Sequence, residues 1–186
     1  MESGRVSTRG SFWARWRVPL AYPLAVIGFW LSRPTRSLIV WGAAIALAGL
    51  IVRGAAAGIV HKGEQLATSG IYAWTRNPLY LGSIVIAAGF AVAANSWIVA
   101  ALMAAYFAAF YPAVIRMEEC NLRQKFGAQF DSYTARVSAF LPWPSAPLAG
   151  AGGFSWSQFL RNREYRAAAG AILAVGLLVL RMWMRS

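Results

Sequence analysis

Two short stretches hold most of the side chains able to do chemistry. Thr68-Ser-Gly70-Ile-Tyr72 is followed by Arg76-Asn77-Pro78-Leu79-Tyr80-Leu81-Gly82, and later comes Arg116-Met-Glu118-Glu119 with Leu122 and Phe126-Gly127 behind it. Pro78 holds Asn77 out of the α region and suits the first turn of a helix. The free amides at such a helix start can receive a carboxylate or another anion. Of the six acidic residues in the chain, two are adjacent at 118 and 119. On a helix they cannot share a face: Glu119 lies with Arg116 and Arg123, as an ordinary salt-bridged surface residue would, whereas Glu118 lies with Val114, Ile115 and Leu122. A carboxylate on an apolar stripe needs a partner, and a cationic ligand is one candidate.

The elements that must position these residues are apolar runs separated by basic segments. Hydrophobic residues make up 59% of the 186, charged residues only 13%, and the net charge is +12. That charged fraction is about half of what a soluble domain carries. The Arg and Lys residues sit between the runs, as they do when the runs lie in hydrocarbon. The runs are Val18 to Leu31, Leu38 to Val52, Leu79 to Ala94, Trp97 to Ile115 and Ala167 to Leu180. Several fall short of the ~20 residues that cross a bilayer, which flanking Arg and Trp extend by snorkelling unless a run is re-entrant. The first run is read as an uncleaved helix, interrupted near its start by Pro19 and Pro23, because Ser-Arg-Pro-Thr-Arg after it lacks a cleavage pattern. The second continues past Arg53 through Gly54 to Gly58, small residues that allow close helix packing. Asn95-Ser96 alone separates the third and fourth runs, which predicts a tight hairpin.

The expected fold class is therefore all-α, a polytopic membrane helical bundle with about five transmembrane helices and a cytoplasmic cofactor site. Positive-inside logic puts the N-terminus and the stretches 53–78 and 116–166 in the cytoplasm, consistent with a bacterial inner membrane. The chain divides into N-terminal helices (1–52), a core with its hairpin (53–142), and a linker, rich in Pro and Gly from Pro142 to Gly153, leading to the last helix (143–186). The hairpin brings the two chemical stretches to the same end.

Leu66-x-Thr68-x-Gly70-x-Tyr72-x3-Arg76-Asn77-Pro78-x-Tyr80-x-Gly82, then Glu118-Glu119-x2-Leu122-x3-Phe126-Gly127-x5-Tyr133-x3-Val137-x4-Pro142, resembles the isoprenylcysteine carboxyl methyltransferase family and its phospholipid methyltransferase relatives over about residues 50 to 142. The resemblance implies an enzyme whose two stretches wrap S-adenosyl-L-methionine at the cytosolic surface, with a tunnel between helices admitting a lipophilic or lipidated acceptor from the membrane lipids. It implies cofactor binding by Gly70, Tyr72, Arg76, Asn77, Pro78, Tyr80, Gly82, Glu118 and Glu119, with Arg116 and Glu118 catalytic and Arg116 facing an acceptor carboxylate. Asn77 stands where many relatives have His, and Phe130 replaces a frequent Tyr. The last helix lies outside the resemblance. It leaves open whether the acceptor is an isoprenylcysteine-like carboxylate or a lipid headgroup.

Two other classes compete. Membrane sterol and steroid reductases look broadly similar but need more phosphate-binding bases for NADPH, and a non-catalytic scaffold leaves the polar constellation unexplained. The bases form no aromatic-interleaved stripe of the kind that tracks nucleic acid. His61 is the single histidine and reads as solvated, with no metal-ligand partners nearby. With one cysteine, Cys120, no intramolecular disulfide forms.

Overall fold

A computed structural model describes residues 8–61, 65–141 and 153–185. The described residues form seven α-helices and no strand: α1 (Thr8–Leu31), α2 (Arg36–Ala57), α3 (Pro78–Ala94), α4 (Trp97–Phe126), α5 (Ala128–Thr134), α6 (Trp156–Arg161) and α7 (Tyr165–Trp183). A short 3-10 turn, Gly70–Ala73, precedes α3. The chain is an all-helical integral membrane protein. By length and apolar content α2, α4 and α7 can each cross a membrane, while Pro19–Leu31 and α3 are shorter apolar helices. The expected linker falls outside the described residues except for Gly153.

Contrary to expectation, α1 is not interrupted: it runs through both Pro19 and Pro23. Each proline removes one amide donor, and hydrocarbon favours keeping the remaining backbone bonds inside the helix over exposing them at a break. The other boundaries follow local chemistry. Thr35 caps α2, its hydroxyl accepting from Leu38 N, and Ser96 does the same for α4 through Val99 N. Between α3 and α4, Asn95 takes the left-handed conformation (φ 49°), which Asn tolerates better than most residues.

The packing is less symmetrical than a hairpin suggests. The main partner of α3 is α2, with α4 touching it much less. The α2–α3 contact is a seam of glycines: a Cβ on Gly49 would lie 2.6 Å from the Gly82 carbonyl oxygen, and one on Gly42 would lie 2.4 Å from that of Gly89. Backbones this close gain dispersion and leave no room for any side chain. Close packing thus rests on Gly42 and Gly49, whereas the anticipated Gly58 makes room for the Phe154 ring.

Contacts between helix ends define two poles. At one, Arg33 N donates to Ala94 O, Asn95 Nδ2 to Arg33 O and Arg181 Nη2 to Trp30 O. At the other lie the 3-10 turn, the start of α3, the end of α4, α5 and α6. There Ser155 N, Gln158 Nε2 and Asn162 Nδ2 bond the carbonyls of Gly58, Val60 and Ala57. These donors satisfy carbonyls that the end of α2 leaves without helical partners.

Candidate active site

The second pole is stitched together by residues on either side of one arginine. Arg76 N donates to Ser138 O, Thr75 Oγ1 to Ala139 O at 3.1 Å, and Asn77 Nδ2 to the same oxygen at 3.2 Å. The Arg76 guanidinium spans the rest of the gap. Its Nη1 donates to Thr134 O (3.0 Å) and Val137 O (3.1 Å), and Nε and Nη2 reach Glu119 at 3.1 and 3.0 Å. Glu119 therefore pairs across the two stretches with Arg76, and the expected pairing along α4 does not occur. Arg123 instead pairs with Asp131, and its guanidinium lies over the Phe130 ring.

These bonds enclose a polar cavity of about 220 Å³. Tyr72, Arg76, Asn77, Pro78, Tyr80, Glu118 and Glu119 all line it, with Leu66, Leu79, Leu122 and Phe130 as apolar wall. Tyr80 donates its hydroxyl to Glu118 at 2.8 Å and stacks edge-on against Tyr111. Glu118 is exposed and pairs with no cation among the described residues. Tyr133 donates to the Tyr72 carbonyl at 2.7 Å. Burial, joined by the Glu118 charge, pushes the Tyr72 phenol well above its ordinary range, and burial does the same to Tyr133. Both are protonated donors at any physiological pH.

Three expected residues lie elsewhere. Gly70, in the left-handed region at φ 56°, shapes the turn that presents Tyr72, and its open side faces Ile59. Gly82 faces α2, where a Cβ would lie 2.5 Å from Arg53 Cγ. Arg116 is exposed and lines no part of the cavity. Two residues apart on a helix, side chains point to nearly opposite sides, so the turn of α4 that aims Glu118 at Tyr80 aims Arg116 away.

Some of the site escaped the sequence reading. His61, expected to be solvated, is half-buried in the cavity wall with Nδ1 3.0 Å from Ile59 O. Arg53 and Glu164, 111 residues apart, form a bidentate ion pair beside the start of α3. Arg53 Nη1 also donates to Leu79 O and Ser83 Oγ. Ser83 in turn lines a second cavity of about 380 Å³, almost wholly apolar, between α1, α3, α4 and α7. Among the described residues no three of His, Cys, Asp and Glu cluster as metal ligands do.

A profile of the family described as phospholipid methyltransferase matches residues 16–129. The cobalt-zinc-cadmium resistance protein CzcN of Cupriavidus metallidurans is 33% identical over 140 residues, 68% of this chain and 62% of that protein. The nickel-cobalt-cadmium resistance protein NccN of Alcaligenes xylosoxydans xylosoxydans is 40% identical over 82 residues, 44% and 38% of the two chains. Mouse protein-S-isoprenylcysteine O-methyltransferase is 29% identical over 119 residues, 61% and 42% of the two. The chain thus spans 38% to 62% of the length of these relatives. No solved structure matches.

Proposed function

Because the chain belongs to the phospholipid methyltransferase family, we propose that it is an S-adenosyl-L-methionine-dependent methyltransferase with a lipophilic acceptor, an isoprenylcysteine-like carboxylate or a lipid headgroup. The observation that carries this reading is Glu118, a carboxylate on the lip of a cavity, held by a hydroxyl and by no cation among the described residues. It suits a ligand bearing positive charge. The apolar wall beside it suits an adenine ring, and the adjoining apolar cavity is of the size that takes a lipid tail.

When bound, the cofactor supplies a methyl group on a sulfonium. The residues of the chain would do the positioning on which such a transfer depends. Glu118 and Glu119 would face the donor's ammonium and ribose region, and Tyr72, Asn77 and Tyr80 would hold its polar groups. Arg76 holds the walls together, and the apolar side chains exclude water. Arg116 is left out of this arrangement because of its exposure on the far side of α4. Metal resistance, which the names of two relatives carry, finds no ligand cluster among the described residues of this chain.

Calorimetry on the detergent-solubilised protein should give a micromolar dissociation constant for S-adenosylhomocysteine and none for NADPH. Binding of NADPH in its place would replace the methyltransferase reading with a reductase one, and binding of neither would leave a scaffold. We further propose five crossings, with the site on the cytoplasmic side of a bacterial inner membrane. Gln65, Asn95 and Arg136 are all exposed. After Cys120→Ser, single cysteines at 65 and 136 should label from the cytoplasm and one at 95 from the opposite side. Labelling of 65 and 95 from one side would refute the arrangement.

A further inference from the structure

One residue of the apolar cavity and one of the polar cavity are bonded to the same cation, which is already neutralised. Arg53 sends its stem over Gly82 and sets its guanidinium against the first turn of α3. Through Nε and Nη2 it donates to both carboxylate oxygens of Glu164, and through Nη1 to Leu79 O and Ser83 Oγ. Ser83 lines the apolar cavity and Leu79 the polar one, so the pair, which lines neither itself, bonds a residue of each at the place where, on the reading above, a lipophile's reactive end would cross to the donor. Tyr72, on the polar side, lies within the field of both charges.

Among the described residues around that junction an incoming anion finds no uncommitted cation. Among the described residues Arg76 is the one arginine or lysine that lines either cavity, and it is committed to Glu119 and two carbonyls. Glu118, on the polar side, is itself negative and has no cation partner among the described residues. To bind Arg53, a substrate carboxylate would have to displace Glu164, whose side chain is only 8% exposed. It would exchange one carboxylate for another and leave a buried charge uncompensated.

We propose that Glu164 determines acceptor specificity: by holding Arg53 with both oxygens it excludes free carboxylates from the junction, so that the lipophile methylated there presents an uncharged amine, thiol or hydroxyl. This rests on the reading above, in which the acceptor comes through the apolar cavity to the methyl donor. In the balanced step the nucleophile's lone pair forms the new bond to the methyl carbon. The former carbon–sulfur electron pair stays on sulfur, and the nucleophile's proton is released to bulk solvent by way of the exposed Glu118 end of the polar cavity. A carboxylate acceptor, which has no proton to lose, would instead need the cation that Glu164 occupies.

The test uses two probes with the same tail, myristate and methyl myristate. Their binding is measured on the full chain in one detergent, with and without S-adenosylhomocysteine. Wild type should bind the ester at least as tightly as the carboxylate. Glu164→Gln, which leaves Arg53 charged and released, should gain roughly tenfold in myristate affinity with the ester unchanged, the size of a charge-assisted bond. Arg53→Gln/Glu164→Gln, uncharged at both positions, should lose that gain. A tenfold wild-type preference for myristate overturns the proposal even if Glu164→Gln does not fold, as does an unchanged ratio in a folded Glu164→Gln. Failure of methyl myristate to bind wild type removes the acceptor from the apolar cavity and the proposal with it, whereas failure of myristate alone is the exclusion proposed. Loss of S-adenosylhomocysteine binding in wild type sinks the methyltransferase reading separately, because the ratio of the two probes is read without it.

Discussion

Arg76→Ala is expected to abolish S-adenosylhomocysteine binding and to lower the melting temperature in the same variant. Its guanidinium brings Nε and Nη2 to one oxygen of Glu119 and makes two bonds to carbonyls near the end of α5, all between stretches more than 40 residues apart. Truncation leaves Glu119 without its cation and two carbonyls without donors, each charged bond being worth about 1.5–3 kcal/mol. Losses of that size in the wall of a cavity convert to at least a hundredfold in affinity, on the order of 1.4 kcal/mol per tenfold. Arg76→Lys should recover the pairing with Glu119 but not the carbonyls, since an ammonium lacks the planar fork. Arg123→Ala is the control: that pair with Asp131 is well exposed, and such pairs contribute little. If Arg76→Ala bound the ligand as wild type does, the cavity would not be the cofactor site.

The second large effect is expected at Glu118. Glu118→Gln keeps size and hydrogen bonding to Tyr80 but removes the charge, and should weaken binding of S-adenosyl-L-methionine by roughly 10- to 100-fold. The side chain is exposed in the free protein, so little stability should be lost. Its energetic role begins when a bound cation covers it and displaces water, and calorimetry rather than thermal melting is the measurement that reports it. Tyr80→Phe, which removes the hydroxyl that orients the carboxylate, should give a smaller loss in the same direction. Arg136→Ala, an exposed residue outside the cavity, should be neutral. Equal losses at Glu118 and Arg136 would mean that the carboxylate has no special place in the site.

What could be read from sequence was what local chemistry decides. The tight turn at Asn95-Ser96, the helix start at Pro78 and the divergence of Glu118 from Glu119 all depend on residues a turn or less apart. The partner of Glu119 was not legible, because Arg116 and Arg123 offered equally good pairing by spacing and nothing in the chain order favours Arg76 over them. Gly82 read as part of a cofactor motif because it follows Tyr80, yet its constraint comes from the α2 backbone and the Arg53 stem. Pro19 and Pro23 carry a helix-breaking signal calibrated in water, and α1 runs through both. The largest omission, the Arg53–Glu164 pair, joins two residues each explicable alone, one as a positive-inside arginine and the other as an acid in a basic segment. No periodicity connects positions separated by 111 residues.

That separation has a consequence for the order of events at the ribosome. The residues that line the polar cavity are all translated by Tyr133, and the matched family region ends at 129. Glu164 and the α6 amides that satisfy the end of α2 are synthesised only afterwards. A nascent chain that has threaded its hairpin into the bilayer therefore holds Arg53 as an unpaired cation at the end of a membrane helix until α7 arrives. The charge on Arg53 is balanced only once the segment leading into the last helix has been made and has folded back on α2.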